Sequence, residues 1–121
     1  MRTEMRIHND QYLETLGNGV KFVTLDATTT SYQIKISDRI IRVTSSEADG
    51  TGIVYLPPVG QAAGMWFYIC APTGATAGDI SVYEKETGAE YTTYGDLDAD
   101  DDHVIFWSDG VVWRVLLDGV A

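Results

Sequence analysis

The densest group of ionisable side chains is residues 95–103, GDLDADDDH, with five carboxylates in nine positions. Asp96, Asp98 and Asp100 have the alternating spacing of a calcium-binding loop, where hard oxygen ligands surround a hard cation. The rest of that pattern is missing. Counted from Asp96, the position that needs Gly holds Asp101, and the position that needs a bidentate Glu holds Trp107. The segment therefore reads as a solvated acidic loop. His8 and His103 stand at opposite ends of the chain, without partners at zinc-ligand spacing. His103 and Ser108 are near neighbours in sequence. On a strand, however, they point to opposite faces and sit ~17 Å apart, which rules out a nucleophile–base pair between them. Cys70 lies within the apolar run MWFYICA, a setting for a small buried thiol and a poor one for a reactive thiolate. The segments 17–19 (GNG) and 50–52 (GTG) read as turns, and no phosphate-binding glycine motif is present. No catalytic residue, metal ligand or cofactor is expected, and the chain reads as a non-enzyme.

The elements that carry these residues are short. Apolar runs rich in Val, Ile, Thr and aromatics recur at residues 21–25, 32–36, 40–44, 53–57, 65–71, 79–84, 90–94, 103–107 and 111–117, separated by Gly, Pro, Asp and Thr. Several alternate with period two, as half-buried strands do. This predicts an all-β chain: a single β-sandwich or jelly-roll-like domain of about eight to nine short strands over residues 20–121, with a barrel as the alternative, in jelly-roll or Greek-key topology. Residues 1–19 are expected to form an N-terminal arm, extended or with a short helix over 9–16 that ends at Gly17. A turn or short helix is expected at residues 59–63, after Pro57 and Pro58. No internal repeat is visible.

Alternation also predicts the core. Val23, Leu25, Tyr32, Ile34, Ile36, Ile41, Val43, Val54 and Leu56 point inward. So do Met65, Phe67, Ile69, Ile80, Val82, Val104, Phe106, Trp113, Val115 and Leu117.

Bulk properties narrow the partners. At 121 residues the chain is one domain with room for one core. Its single cysteine forms no internal disulfide. The net charge is −10 and uneven: residues 1–60 hold six Lys/Arg against seven Asp/Glu, and residues 61–121 hold two against eleven. Such an acidic chain is repelled by phosphate backbones, so no nucleic acid is expected as a partner. No apolar run approaches the ~20 residues that span a bilayer, so no membrane is expected either. The N-terminal MRTEMRIHNDQYLETLG does not read as a secretory signal.

Residues 106–116, FWSDGVVWRVL, read as a strand, a tight loop with Gly110 at positive φ, and a second strand. If Phe106, Trp113 and Val115 fill a core, the opposite face still carries Ile105, Trp107, Val112, Arg114 and Leu116. The run MWFYICA likewise leaves Trp66, Tyr68 and Cys70 outside. So large an apolar surface is unusual on a monomer, and aromatics with an Arg are the composition of interface hot spots. These outer faces are expected to meet another subunit. The competing expectation is that the second sheet or the N-terminal segment covers them.

The stretch IVYLPPVGQAAGMWFYI followed by HVIFWSDGVVWRVL resembles the β-sandwich modules of tailed-phage virion proteins. The matching residues are Leu56, Pro57, Ala62, Ala63, Gly64, Phe67, Ile69, Ser108, Asp109, Gly110 and Trp113, across residues 53–117. The resemblance implies a homotrimer without enzymatic activity. Because the chain is short and has no repetitive shaft, it looks most like a capsid decoration (cement) protein. This implies that it sits on the outer capsid surface of the virion, binds the major capsid protein, and is made in the host cytoplasm. By analogy with that group, Ile7, Tyr12, Leu13 and Leu16 of the arm would contact the capsid. The alternative is a tail or head-fibre module that binds host glycans through Trp66, Trp107 and Tyr94, since exposed aromatics stack on sugar rings. A small jelly-roll enzyme is a remote third reading.

Overall fold

The computed structural model describes residues 20–45, 52–71, 80–91, 96–98 and 101–119. The N-terminal arm and the expected helix over 9–16 lie outside the described residues, as do 92–94 of the run at 90–94. Among the described residues every regular element is a strand: β1 Val20–Leu25, β2 Ser31–Gln33, β3 Ile40–Ser45, β4 Gly52–Leu56, β5 Trp66–Ala71, β6 Ile80–Glu84, β7 Asp96–Leu97, β8 Asp102–Ser108 and β9 Trp113–Gly119. They form a five-stranded sheet, β1-β3-β5-β8-β9, and a four-stranded sheet, β2-β4-β6-β7. The all-β expectation holds. Residues 59–63 form turns, with the Gln61 and Ala62 amides donating to the Pro58 carbonyl.

The pairing differs from the expected Greek key. Odd strands β1, β3 and β5 pair in parallel in one sheet, and even strands β2, β4 and β6 pair in parallel in the other. From β1 to β6 the chain alternates between sheets at each step and returns beside the strand it left two steps earlier. Only the final pairings, β5–β8, β6–β7 and β8–β9, are antiparallel. A jelly roll pairs its strands antiparallel throughout. Parallel neighbours need a crossover, and here each crossover is itself a strand of the opposite sheet. This winding is a structural repeat that the residue pattern did not reveal.

One buried cluster takes side chains from both sheets, including Leu25, Ile41, Phe67, Ile69, Val104 and Phe106 from the larger and Val54, Leu56, Ile80, Val82 and Leu97 from the smaller. Trp113 meets Phe67 edge-on at 5.9 Å, and Tyr91 lies 4.9 Å from the Phe106 ring. Two of the predicted core residues are exposed. Ile36, 44 % exposed, falls in a turn, because β2 stops at Gln33. That turn is shaped by Asp38, whose Oδ2 accepts from the Lys35 amide (2.9 Å) and the Tyr32 hydroxyl (2.6 Å). Leu117, 43 % exposed, follows a bulge: Ile105 pairs with Leu117 but Phe106 pairs with Val115. The extra residue, Leu116, inverts the alternation of β9, since one inserted residue sends every later side chain to the other face.

The two distant stretches LPPVGQAAGM and FWSDG meet at Ser108. Its buried hydroxyl donates to the Val59 carbonyl at 2.5 Å and accepts from the Gly110 amide at 3.0 Å. Its backbone pairs with Gly64 and Met65. Gly110 has φ 96, and its missing Cβ faces Ala63. Substituting Ser108→Ala removes the shared hydroxyl from a buried site, so a loss of about 1–3 kcal/mol is expected, read by urea denaturation. A variant as stable as the parent would show that the hydroxyl is dispensable.

Candidate functional site

The larger sheet presents an outer face whose rows follow from the strand register. One row is apolar across all five strands: Val20, Ile40, Tyr68, Ile105 and Leu117. On one side of it lies Phe22, Arg42, Cys70, His103 and Gly119. On the other lies Trp66, Trp107 and Arg114. Phe22 is 66 % exposed, Trp66 43 % and Leu116 64 %, while Tyr68, Ile105 and Trp107 are half-buried. Of the residues expected to form an interface, Trp66, Tyr68, Ile105, Trp107 and Arg114 share this face, and Leu116 projects from the bulge. Val112 lies apart, exposed in the turn between β8 and β9. The structure adds Val20, Phe22, Ile40 and Leu117. Phe22 and Ile40 alternate with the inward residues Val23 and Ile41. What the sequence did not reveal is that β1 and β3 lie in the same sheet as β5.

The middle of the face is held by close packing. The His103 ring stacks on Tyr68, with centroids 5.8 Å apart and planes 12° apart. Its Nδ1 lies 2.8 Å from the Asp101 carbonyl, so Nδ1 carries the proton. A Cβ on Gly119 would collide with the His103 ring, so only glycine fits beneath the ring in this position. Burial raises the Tyr68 hydroxyl and the Cys70 thiol above their ordinary ranges, and Arg42 partly offsets the shift at Cys70. The thiol therefore stays protonated and is a poor nucleophile.

A groove of about 670 Å³ wraps the free side of β9, lined by Tyr91, Trp107, Trp113, Arg114, Leu116 and Asp118 among others. At the hairpin tip Asp109 accepts from the Val111 and Val112 amides at 2.8 Å each, and from Arg114 Nε at 2.7 Å. Ser108 belongs to the strand end, not to the turn.

The acidic segment is only partly described, and Asp100 lies outside the described residues, as do Tyr94, His8, Ile7, Tyr12, Leu13 and Leu16. Asp102 turns inward, 1 % exposed, and accepts from the Asp98 amide. Asp101 adopts φ 64. Among the described residues no group of three or more His, Cys, Asp and Glu is gathered for a metal. Ser108 and His103 point to opposite faces of β8, and Ser108 Oγ is committed to Val59. What the outer face presents is apolar area, aromatic rings and a few charges.

No family model, curated protein or solved structure matches this chain.

The Val112 and Val111 amides, then Arg114, hold the Asp109 carboxyl down at about 2. Its folded pKa lies below the unfolded value, so its contribution to stability is present above the ordinary carboxylate range and is lost as pH falls through about 2. Carboxyl NMR should show this midpoint. In Arg114→Ala the midpoint should rise but stay below the ordinary range, because the backbone bonds are the larger cause. A full return to the ordinary range would assign the shift to Arg114 instead. In Gly119→Ala the His103 ring should swing off Tyr68, read as loss of the ring-current shifts on the His103 protons.

Proposed function

We propose that this chain is a non-catalytic virion structural protein, a head decoration protein of a tailed phage that assembles as a homotrimer and stabilises the capsid it binds. The observation that carries the self-association is the unbroken apolar row Val20–Ile40–Tyr68–Ile105–Leu117 across the outer face of the larger sheet. That sheet already buries its other face in the core. A sheet apolar on both faces needs a cover on each. Three copies with these faces turned toward a common axis would supply it. We read the two sheets and their shared core as a sandwich wound largely in parallel. The capsid as binding surface rests on the resemblance of residues 53–117 to virion modules. Binding only the assembled shell would stabilise it by mass action.

The groove beside β9 favours a second reading, a fibre module that binds host glycans. Trp107 and Tyr91 offer aromatic surface there, and Arg114 and Asp118 offer polar contacts. Glycan binding abolished by Trp107→Ala in a protein that stays folded would support that reading over the first.

The deciding measurement is the mass in solution by light scattering, with and without residues 1–19. A trimer is expected in both cases. Ile105→Asp, which puts a charge at the centre of the face, should weaken assembly more than about a hundredfold and leave a folded monomer. A parent chain that is monomeric at high concentration, and that ignores capsids lacking it, would overturn the proposal.

A further inference from the structure

A trimer of identical chains is cyclic, so each contact joins two different surfaces of the chain. The larger sheet has two such surfaces. Its edges are β1 and β9, and the pairings make them run in the same direction: β1, β3 and β5 are parallel, β8 reverses, and β9 reverses again. A three-fold axis along the strands preserves both direction and height. It would therefore bring β9 of one copy beside β1 of the next as parallel neighbours.

The two edges also carry opposite charges at one matched position. Lys21 is the charged residue of β1, while β9 carries Asp118 and Arg114, the latter paired with Asp109. Lys21 pairs with Ile41, Ile41 with Ile69, Ile69 with Val104 and Val104 with Asp118. Lys21 and Asp118 thus end the same row at opposite edges, and both are exposed. Lys21 projects to the inner side, with its ammonium 5.8 Å from the Tyr32 ring centroid. Asp118 shares that side because the bulge at Leu116 inverted the alternation. Without the bulge, Asp118 would lie on the other face.

We infer that the β9 edge, with its groove, receives the β1 edge of a second copy of this chain, with Asp118 of one copy meeting Lys21 of the next at each corner of the trimer. This rests on the trimeric reading and adds a location for the junctions. Among the described residues β1 and β9 end the sheet, so their backbones would pair as strands added to a sheet edge do, and the charges would set the partner and the height.

The test uses the full chain in three forms, Lys21→Asp, Asp118→Lys and the double variant, with trimer dissociation followed by light scattering and dilution. Each single change places like charges at all three corners, and an affinity loss of about tenfold or more is expected. The double variant restores opposite charges and should recover most of that loss. High salt should weaken the parent trimer and leave the single variants less affected. Single variants that dissociate like the parent, or a double variant no tighter than the singles, would overturn the junction while leaving the trimer intact. A parent chain that is monomeric at every concentration would overturn both. Thermal melting of each variant separates lost assembly from lost folding.

Discussion

The rest of the structure depends on the antiparallel pairing of β5 with β8. On one side of it the chain winds in parallel through β1, β3 and β5. On the other it closes in the β8–β9 hairpin. Phe67 and Phe106 face each other across this pair, both fully buried, and Trp113, Tyr91 and the Arg39 guanidinium pack against their rings. Such a rung is worth more than its area, because aromatic edges and faces attract. The Ser108 bonds lock its end and tie the turn before β5 to the loop after β8.

The same pairing builds the outer surface. In a sheet, whatever aligns the inner residues also aligns the outer ones. By placing Phe67 opposite Phe106, the register also sets Trp66 beside Trp107 and Tyr68 beside Ile105. The outer face and the core are therefore two sides of one alignment. The bulge at Leu116 is the local exception. It sends Leu117 to the outer face and brings Asp118 to the inner side at the open edge. An irregularity at a sheet edge that re-aims side chains next to a groove is a recurrent use of bulges.

Several polar groups are bonded into turns and strand ends. Asp38 shapes the turn after β2, Asp102 accepts the Asp98 amide, Ser108 joins two loops, and Asp109 organises the hairpin tip. Among the described residues no buried side-chain nitrogen or oxygen lacks a partner. A buried polar group without one costs more than a bond gains, so these bonds help to hold the fold.

The sequence by itself determined the β class, the positions of most strands, most of the core and the two-faced character of β5 and β8. These follow from local alternation, which each strand carries in its own side chains. The positive φ at Gly110 was legible for the same reason: a tight turn between two apolar runs needs it. The sequence did not determine pairing. Whether Val20 lies beside Ile40 or beside some other strand depends on hydrogen bonds between backbones distant along the chain, and those bonds carry no residue identity. Alternation would have served an antiparallel jelly roll equally well. The tertiary structure also decided where the alternation breaks. A one-residue bulge leaves no mark in the apolar run VVWRVLL, yet it decides which side chains of β9 face the core and which face outward. The exposed position of Ile36 has the same origin, because the Asp38 bonds end β2 earlier than the apolar pattern does.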